Sequence, residues 1–247
     1  MRLCALLVPI GMTALMVGFA VSPKPPVVGL DCYHNQQTPQ RYTWGQQGAG
    51  GYSQFGKLLK GLGAKITSVR HELTAGTLSP LSAFIIVDPN TRHPGLSYSP
   101  HPHYIKKVEA SVLEAWVKRG GVLVLMGNNR GNCEFIHLNK LSSRFGIHFN
   151  DDTANTGGPG FNPVFNEHCF KGIKRLHIVG MCSLVLAPPA KAVVTYHRQV
   201  LMATAKIAKG RVFAVGDPWL YNEYINHADN LRAARQLFQW LLKQVRR

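Results

Sequence analysis

Ala83-Phe84-Ile85-Ile86-Val87-Asp88-Pro89 is a continuous apolar run that ends in an acid and a proline. Such a run suits a strand buried on both faces, as in a parallel sheet. Similar runs occupy residues 27–30, 64–69, 122–126 and 211–215. Helical spacing of apolar residues occurs between them, at 52–62, 105–118, 135–145 and 230–245. Alternating strands and helices predict an α/β fold with a doubly wound, mostly parallel sheet.

Four short apolar segments precede the last buried strand, at residues 176–179, 183–186, 193–196 and 201–205. Their length and close spacing predict a small antiparallel extension of the sheet. The whole pattern predicts a single α/β domain over residues 28–247.

The first residues carry an export pattern. Arg2 precedes an apolar stretch, and the small residues Gly18 and Ala20 precede a cut before Val21. This pattern is typical of a signal peptide over residues 1–20, followed by a proline-containing linker over 21–27, and it predicts a periplasmic or secreted protein. The alternative is an uncleaved membrane anchor, because the apolar stretch is nearly long enough to span a bilayer.

Four cysteines follow the predicted signal peptide, and none lies in a CxxC motif. An oxidising compartment permits disulfides, with Cys169 and Cys182 as the candidate pair. Free buried thiols are the equal alternative. Neither a metal nor a cofactor is predicted, because no zinc-type spacing, GxGxxG or Walker A motif occurs.

The chain is strongly basic, with 28 Lys and Arg against 12 Asp and Glu and a formal net charge of +16. Such a charge favours a polyanionic partner. Export argues against nucleic acid, and no basic run alternates with aromatics as nucleic-acid binding would need. An acidic oligosaccharide or polysaccharide is therefore the predicted partner, and a generally basic surface is the alternative. A membrane would be a partner only if the N-terminal segment stays uncleaved, and the oligomeric state is left open.

Asp31, Asp88 and Asp217 each follow directly on an apolar strand, and Glu134 lies a few residues beyond another. The carboxyl ends of parallel strands meet at one edge of a sheet, where ligands bind. We therefore expect the four acids to share a site there, with Glu134 and Asp217 as the acid and base if the protein is an enzyme. The alternative for each acid is a local turn or helix cap.

Other predicted binding residues surround these acids. Two acids, an amide and aromatic rings within residues 216–224 form a combination that suits a sugar, and a packed corner is the alternative. Glu134 and His137 have the i, i+3 spacing of one helix face, which would suit an acid–base pair or metal ligands. The predicted substrate-binding residues besides Asp31 and Asp88 are Trp44, Asn128, Asn132, His137, Trp219, Tyr221, Asn222 and Glu223.

Residues 85–89, 121–126, 132–141 and 212–224 together resemble the glutamine-amidotransferase-like domain appended to unsaturated rhamnogalacturonyl hydrolases of pectin-degrading bacteria. The resemblance implies a flavodoxin-like, class I amidotransferase-like fold and an association with acidic plant polysaccharide. In that family a separate α-barrel domain carries the hydrolase chemistry, and this sequence does not contain it. The amidotransferase cysteine nucleophile also has no counterpart at the expected turn.

Three hypotheses follow from the sequence. The first is an exported protein that binds acidic, uronate-containing oligosaccharides or assists their processing. The second is a glycoside hydrolase that uses paired carboxylates, and the third is a non-catalytic structural or interaction module. Carboxylates facing each other across an open cleft would favour the second, and a cleft without a suitable pair would favour the first. Buried and fully hydrogen-bonded carboxylates would favour the third.

Overall fold

The computed structural model describes residues 24–36, 39–93, 98–154, 160–165 and 169–245. The predicted signal peptide and the first three linker residues lie outside these ranges. Within them, no helix has both the length and the apolar character needed to cross a membrane.

Ten strands form one sheet in the described part of the chain. Their bounds are β1 Val27–Asp31, β2 Lys65–Val69, β3 Ala83–Val87, β4 Val122–Met126, β5 Ile147–Phe149, β6 Val164–Phe165, β7 Leu184–Leu186, β8 Ala190–Tyr196, β9 Gln199–Ile207 and β10 Gly210–Val215. The order across the sheet is β2-β1-β3-β4-β10-β9-β7-β5, and β8 pairs with both β9 and β6.

The sheet is mixed, so the predicted doubly wound, mostly parallel sheet with a small antiparallel extension is wrong. Strands β2, β1, β3, β4 and β10 pair in parallel. The other five pairings are antiparallel and join the six strands from β5 to β10. In the described residues between 147 and 210, no helix intervenes. Parallel neighbours need a long crossover, whereas the links from β8 to β9 and from β9 to β10 are short, so these strands pair antiparallel.

Within the described ranges, five helices pack against the sheet: α1 Ser53–Gly61, α2 Ala75–Leu78, α3 Lys107–Lys118, α4 Phe135–Ser142 and α5 Asn230–Val245. A 3₁₀ turn at Ser143–Phe145 follows α4 directly. The segment predicted as one helix over 135–145 is therefore an α-helix with a 3₁₀ turn at its end. The predicted strand over 176–179 is instead loop, with a single bridge from Leu176 to Phe161. The short helix α2 was not predicted.

Two apolar cores lie on opposite faces of the sheet. One contains Phe55 of α1 and Leu237 of α5, and the other contains Leu113 of α3 and Leu138 of α4. The strands β3 and β4 are buried along their whole length, as expected for strands covered on both faces.

The candidate disulfide is not formed, because Cys169 and Cys182 are both thiols. Cys182 is fully buried and Cys169 is partly exposed. Burial raises the pKa of the Cys182 thiol well above its usual value, and the nearby Asp152 raises it further. A thiol held neutral in this way is a weak nucleophile.

Candidate functional site

The loops that follow β1, β3 and β4 interlock at the carboxyl edge of the parallel strands. The backbone N–H of Asn90 donates to the carbonyl of His34 at 3.1 Å, and the N–H of Glu134 donates to the carbonyl of Pro89 at 2.9 Å. Asp31, Asp88 and Asp217 end their strands at this same edge. The structure therefore brings the predicted acids together in one region of the fold.

Asp31 belongs to a buried charged triad with His34 and Glu109. His34 Nδ1 lies 2.7 Å from Asp31 Oδ2, and His34 Nε2 lies 3.4 Å from Glu109 Oε2. Asp31 also accepts the N–H groups of Tyr33 and His34, and Glu109 accepts the N–H of Leu73 at 2.8 Å. The triad ties the loop after β1 to the first turn of α3. Its carboxylates are saturated with donors, which is the pattern of a structural ion pair.

Opposing effects set the charge of the triad. Burial lowers the pKa of His34, but the Asp31 and Glu109 carboxylates outweigh it and raise that pKa to about 10. Burial raises the pKa of Glu109, but the hydrogen bonds from His34 and from two backbone N–H groups outweigh it and lower that pKa to about 2. His34 is therefore a buried imidazolium held between two carboxylates at neutral pH.

Asp88 and Asp217 form the second buried part of this edge. Asp88 has a left-handed backbone with φ of +45° and accepts the Asn128 side-chain amide at 3.0 Å. Burial raises the pKa of Asp217 well above its usual range, and the charge of Asp88 raises it further. Asp217 Oδ1 has no hydrogen-bond partner among the described residues. Because Asp217 is only 2% exposed, it meets no open cleft in this conformation.

The segment over residues 216–224 is a packed corner rather than a sugar platform. Trp219 is fully buried, and Tyr221 is 8% exposed. The Asn222 side-chain NH₂ donates to the carbonyls of Gln46, Gln47 and Gly48, which fixes the glycine-rich loop before α1. Of the predicted binding residues in this segment, Glu223 alone is exposed.

Gly216 explains why this segment begins with glycine. A Cβ at this position would lie 1.8 Å from the carbonyl oxygen of Cys182. The same two residues are joined by a hydrogen bond from the Cys182 N–H to the Gly216 carbonyl at 3.0 Å. The close approach of two chain segments, rather than a ligand, requires glycine here.

The remaining predicted residues have local structural contacts. Glu134 is the N-cap of α4, where its carboxylate accepts the His137 N–H at 2.9 Å, and His137 Nδ1 lies 3.1 Å from Glu134 Oε1. The Asn132 amide donates to the Asn129 side chain. Trp44 Nε1 donates to the carbonyl of Thr67. Helix capping, the alternative given for such acids, thus accounts for Glu134.

No cluster of three or more His, Cys, Asp or Glu side chains in the described ranges could hold a metal ion. The carboxylates at the strand edge are largely buried, and the cavities described next do not include Asp217 or Asp88. The side chains of this region that a ligand could reach therefore lie beside these carboxylates and do not include them.

A cavity of about 570 Å³ opens between the first turn of α3 and helix α4. Its wall includes Tyr104 stacked on His137, with ring centroids 4.6 Å apart and planes 14° apart. Its lining contains no acidic residue. The basic residues around it are Lys106, Lys107, Lys140 and Arg144.

Two of these four cations have acidic partners. Lys106 pairs with Glu72, and Arg144 pairs with Glu114. Lys107 and Lys140 are exposed and have no ion pair with any of the described residues. The cavity therefore has uncompensated positive charge, which favours an anionic group. We call it the basic cavity.

Of the residues that line the basic cavity, His137 alone was predicted from the sequence as a site residue. The signal was present: residues 137, 140 and 144 have the i, i+3, i+7 spacing of one helix face, and all are basic or titratable. The pair Lys106-Lys107 begins the facing helix. Only the packing of α3 beside α4 shows that these charges share one cavity.

The fold and the cavity define the class of protein: a mixed-sheet α/β domain with an open basic cavity beside a buried carboxylate edge. The chain belongs to the family described as a domain of unknown function, DUF4350, whose model matches residues 46–238. No curated protein matches the sequence.

Several solved structures are similar to this chain. The mmIFT52 N-terminal domain has a TM-score of 0.70 at 19% identity, covering 87% of this chain and 97% of that one. Cytoplasmic protein STM1381 from Salmonella typhimurium LT2 has a TM-score of 0.62 at 11% identity, covering 90% and 100%. The exo-beta-1,4-mannosidase Op5Man5 from Opitutaceae bacterium strain TAV5 has a TM-score of 0.52 at 14% identity, covering 88% and 36%. At such low identities these likenesses show the fold alone.

These findings correct the family resemblance. The chain is a DUF4350 member whose fold is similar to the IFT52 and STM1381 structures, so its assignment to the amidotransferase-like domain of unsaturated rhamnogalacturonyl hydrolases was wrong. The flavodoxin-like fold and the pectin association that the resemblance implied lose their support with it, and the family match gives no support to the hydrolase hypothesis.

Proposed function

We propose that this protein is a non-catalytic binding protein for an acidic sugar ligand, and that the basic cavity is its binding site. The observation that carries the proposal is the pair of cations Lys107 and Lys140, without acidic partners in the described part of the chain, at a cavity whose wall is an aromatic stack. Its volume of about 570 Å³ falls within the usual range for small-ligand sites.

The shape of the cavity matches both parts of an acidic sugar. The rings of Tyr104 and His137 line the cavity and add aromatic surface with polar edges, as sugar sites commonly do. The lysine ammonium groups suit a carboxylate, and the methylene stems of the same side chains add apolar contact. The nearest carboxylates in this region are engaged in the triad, in caps or in ion pairs, which leaves the cavity positive.

A catalytic role has no comparable support. Asp217 is buried, and Glu134 caps a helix and lies outside the basic cavity lining. General acid–base chemistry needs groups within hydrogen-bond reach of the substrate. Binding without turnover is therefore the function that the geometry supports best.

Binding of glucuronate, compared with glucose, tests the proposal. We expect isothermal titration or NMR shift perturbation to detect glucuronate with a dissociation constant on the order of 1 mM, as befits a small ligand, and to detect no glucose binding. Lys107→Gln and Lys140→Gln should each weaken binding about fivefold, the effect of losing one exposed charge contact. Added salt should also weaken it, because the charges are solvent-exposed.

Lys65→Gln is the matched control, because Lys65 is an exposed lysine on the distant edge strand β2. It should leave glucuronate affinity unchanged. The proposal fails if the wild type does not bind glucuronate, or if the two cavity variants bind it as tightly as the control does.

The location of the protein is a further part of the proposal. We propose export, which rests on the pattern of residues 1–20 alone. Sequencing the N-terminus of the mature protein should find Val21 first. A mature chain that retains residues 1–20 would contradict the cleaved signal peptide and favour the anchor.

A further inference from the structure

A second cavity, of about 480 Å³, adjoins the basic cavity on the other side of the first turn of α4. Tyr104 lines both cavities, so the same ring forms part of the wall of each. His137 of the basic cavity contacts Glu134 of the second cavity at 3.1 Å. The two spaces are thus neighbours along one surface, with the Tyr104–His137 stack between them.

The second cavity differs from the first in charge. Its polar lining includes Arg92 and Arg130 together with Glu134 and Asp151. Arg130 Nε lies 3.6 Å from Asp151 Oδ1 and also donates to the Asp151 carbonyl at 2.9 Å. Donors and acceptors are therefore mixed here, whereas the basic cavity has cations without acids in its lining.

Mixed donors and acceptors suit hydroxyl groups, which both donate and accept hydrogen bonds. A carboxylate in this space would face Glu134 and Asp151 as well as Arg92 and Arg130, so repulsion from the two acids would offset the attraction to the two arginines. Ile136 lines the same cavity with its side chain 69% exposed, which offers an apolar face to the C–H side of a sugar ring. The second cavity therefore favours a neutral, hydroxylated unit.

We infer that the ligand is an oligosaccharide of at least two units, with an acidic unit in the basic cavity and an adjoining neutral unit in the second cavity. This inference rests on the proposed function of the basic cavity and names its substrate class more closely. The Tyr104–His137 stack is then the point at which the linkage between the two units crosses.

A set of four sugars of one configuration tests this inference: glucuronate, cellobiose, the mixed disaccharide cellobiouronate and β-1,4-linked diglucuronate. We expect cellobiouronate to bind about tenfold more tightly than glucuronate, the gain from one or two added hydrogen bonds to charged groups. Cellobiose should not bind, and diglucuronate should bind no more tightly than glucuronate.

Variants of the second cavity test whether it is the source of the added affinity for cellobiouronate. Arg130→Gln combined with Ile136→Ser should reduce cellobiouronate affinity to that of glucuronate while leaving glucuronate affinity itself unchanged. Both side chains are exposed, so the folded structure should tolerate the changes, and circular dichroism checks this.

Three outcomes would overturn the inference while the proposed function stands: no added affinity for cellobiouronate, a gain that survives the double variant, or an equal gain with diglucuronate. Failure of glucuronate to bind the wild type would instead overturn the proposed function. The two failures are therefore distinguishable in one series of titrations.

Discussion

The buried carboxylates at the strand edge and the basic cavity lie side by side, but their charges differ in burial and in pairing. At the edge, Asp31 and Glu109 are buried, saturated with donors and locked around the imidazolium of His34. In the cavity, Lys107 and Lys140 are exposed and uncompensated. Charges that are paired and buried hold a fold in one conformation, whereas charges that are open and unpaired remain available to a ligand.

The comparison also separates two kinds of polar residue that the same region contains. The side chains of Asn222 and Glu134 form hydrogen bonds with the backbone of a neighbouring loop and a helix. Tyr104 and His137 stack on each other at a cavity wall and keep part of their surface exposed. Mutations in the first group should change stability, and mutations in the second should change binding.

The largest effect is expected from breaking the buried triad. Asp31→Asn removes one of the two carboxylates that hold the His34 imidazolium and leaves it with Glu109. It should lower the free energy of unfolding by about 3 kcal/mol, the lower end of the range for breaking a buried ion pair. Urea denaturation measures the change. The exposed Asp151→Asn is the control and should cost about 0.5 kcal/mol or less. A loss for Asp31→Asn as small as that of the control would show that the triad is not a structural ion pair.

A smaller effect is expected from Asn222. Asn222→Ala removes the donors to the carbonyls of Gln46, Gln47 and Gly48 and the acceptor for the Gln54 N–H. Because several hydrogen bonds are lost together, we expect the free energy of unfolding to fall by about 2 kcal/mol. Glucuronate binding should not change. A variant that folds with wild-type stability but loses glucuronate binding would instead show that the 216–224 segment belongs to the binding site.

The pH dependence of stability should be more gradual. The pKa of His34 is about 10 in the folded protein against 6.5 in the free side chain, so its contribution is complete below pH 6.5 and is lost as the pH rises towards 10. The pKa of Glu109 is about 2 against 4.5, so its contribution is present above pH 4.5 and is lost as the pH falls towards 2. From these two groups, stability should be greatest between pH 4.5 and 6.5.

Urea titrations at several pH values measure this profile. On the alkaline side, one proton released on unfolding gives a slope of at most about 1.4 kcal/mol per pH unit. His34→Gln should flatten the alkaline limb, because the titrating group is gone. An unchanged alkaline slope in that variant would show that other groups carry the dependence.

The sequence predicted the central part of the fold because its strands are apolar runs that end in Asp or Gly. It placed β3, β4 and β10 correctly, and it placed Asp31, Asp88 and Asp217 at the ends of strands whose carboxyl ends share one edge. The antiparallel direction of the later strands was predicted from their short links, but their share of the sheet was not. The sequence did not reveal β5 and β6, whose pairing partners β7 and β8 lie far from them in the sequence.

The candidate site was less predictable than the fold. Acids at strand ends draw attention as catalytic groups, but the sequence does not show that His34 and Glu109 would bury and neutralise Asp31. The basic cavity forms because Lys107 of α3 and Lys140 of α4 line the same space between the two helices. Local patterns report the face of each helix, whereas the distance between two helices is a property of the tertiary structure.

The most direct test of this account is one paired measurement of stability and glucuronate affinity on the same two proteins, Asn222→Ala and the Lys107→Gln, Lys140→Gln double variant. The account predicts that Asn222→Ala loses about 2 kcal/mol of unfolding free energy and keeps its affinity. It predicts that the double variant keeps its stability within about 0.5 kcal/mol and binds glucuronate about twentyfold more weakly. The opposite assignment, with affinity lost in Asn222→Ala and kept in the double variant, would contradict it.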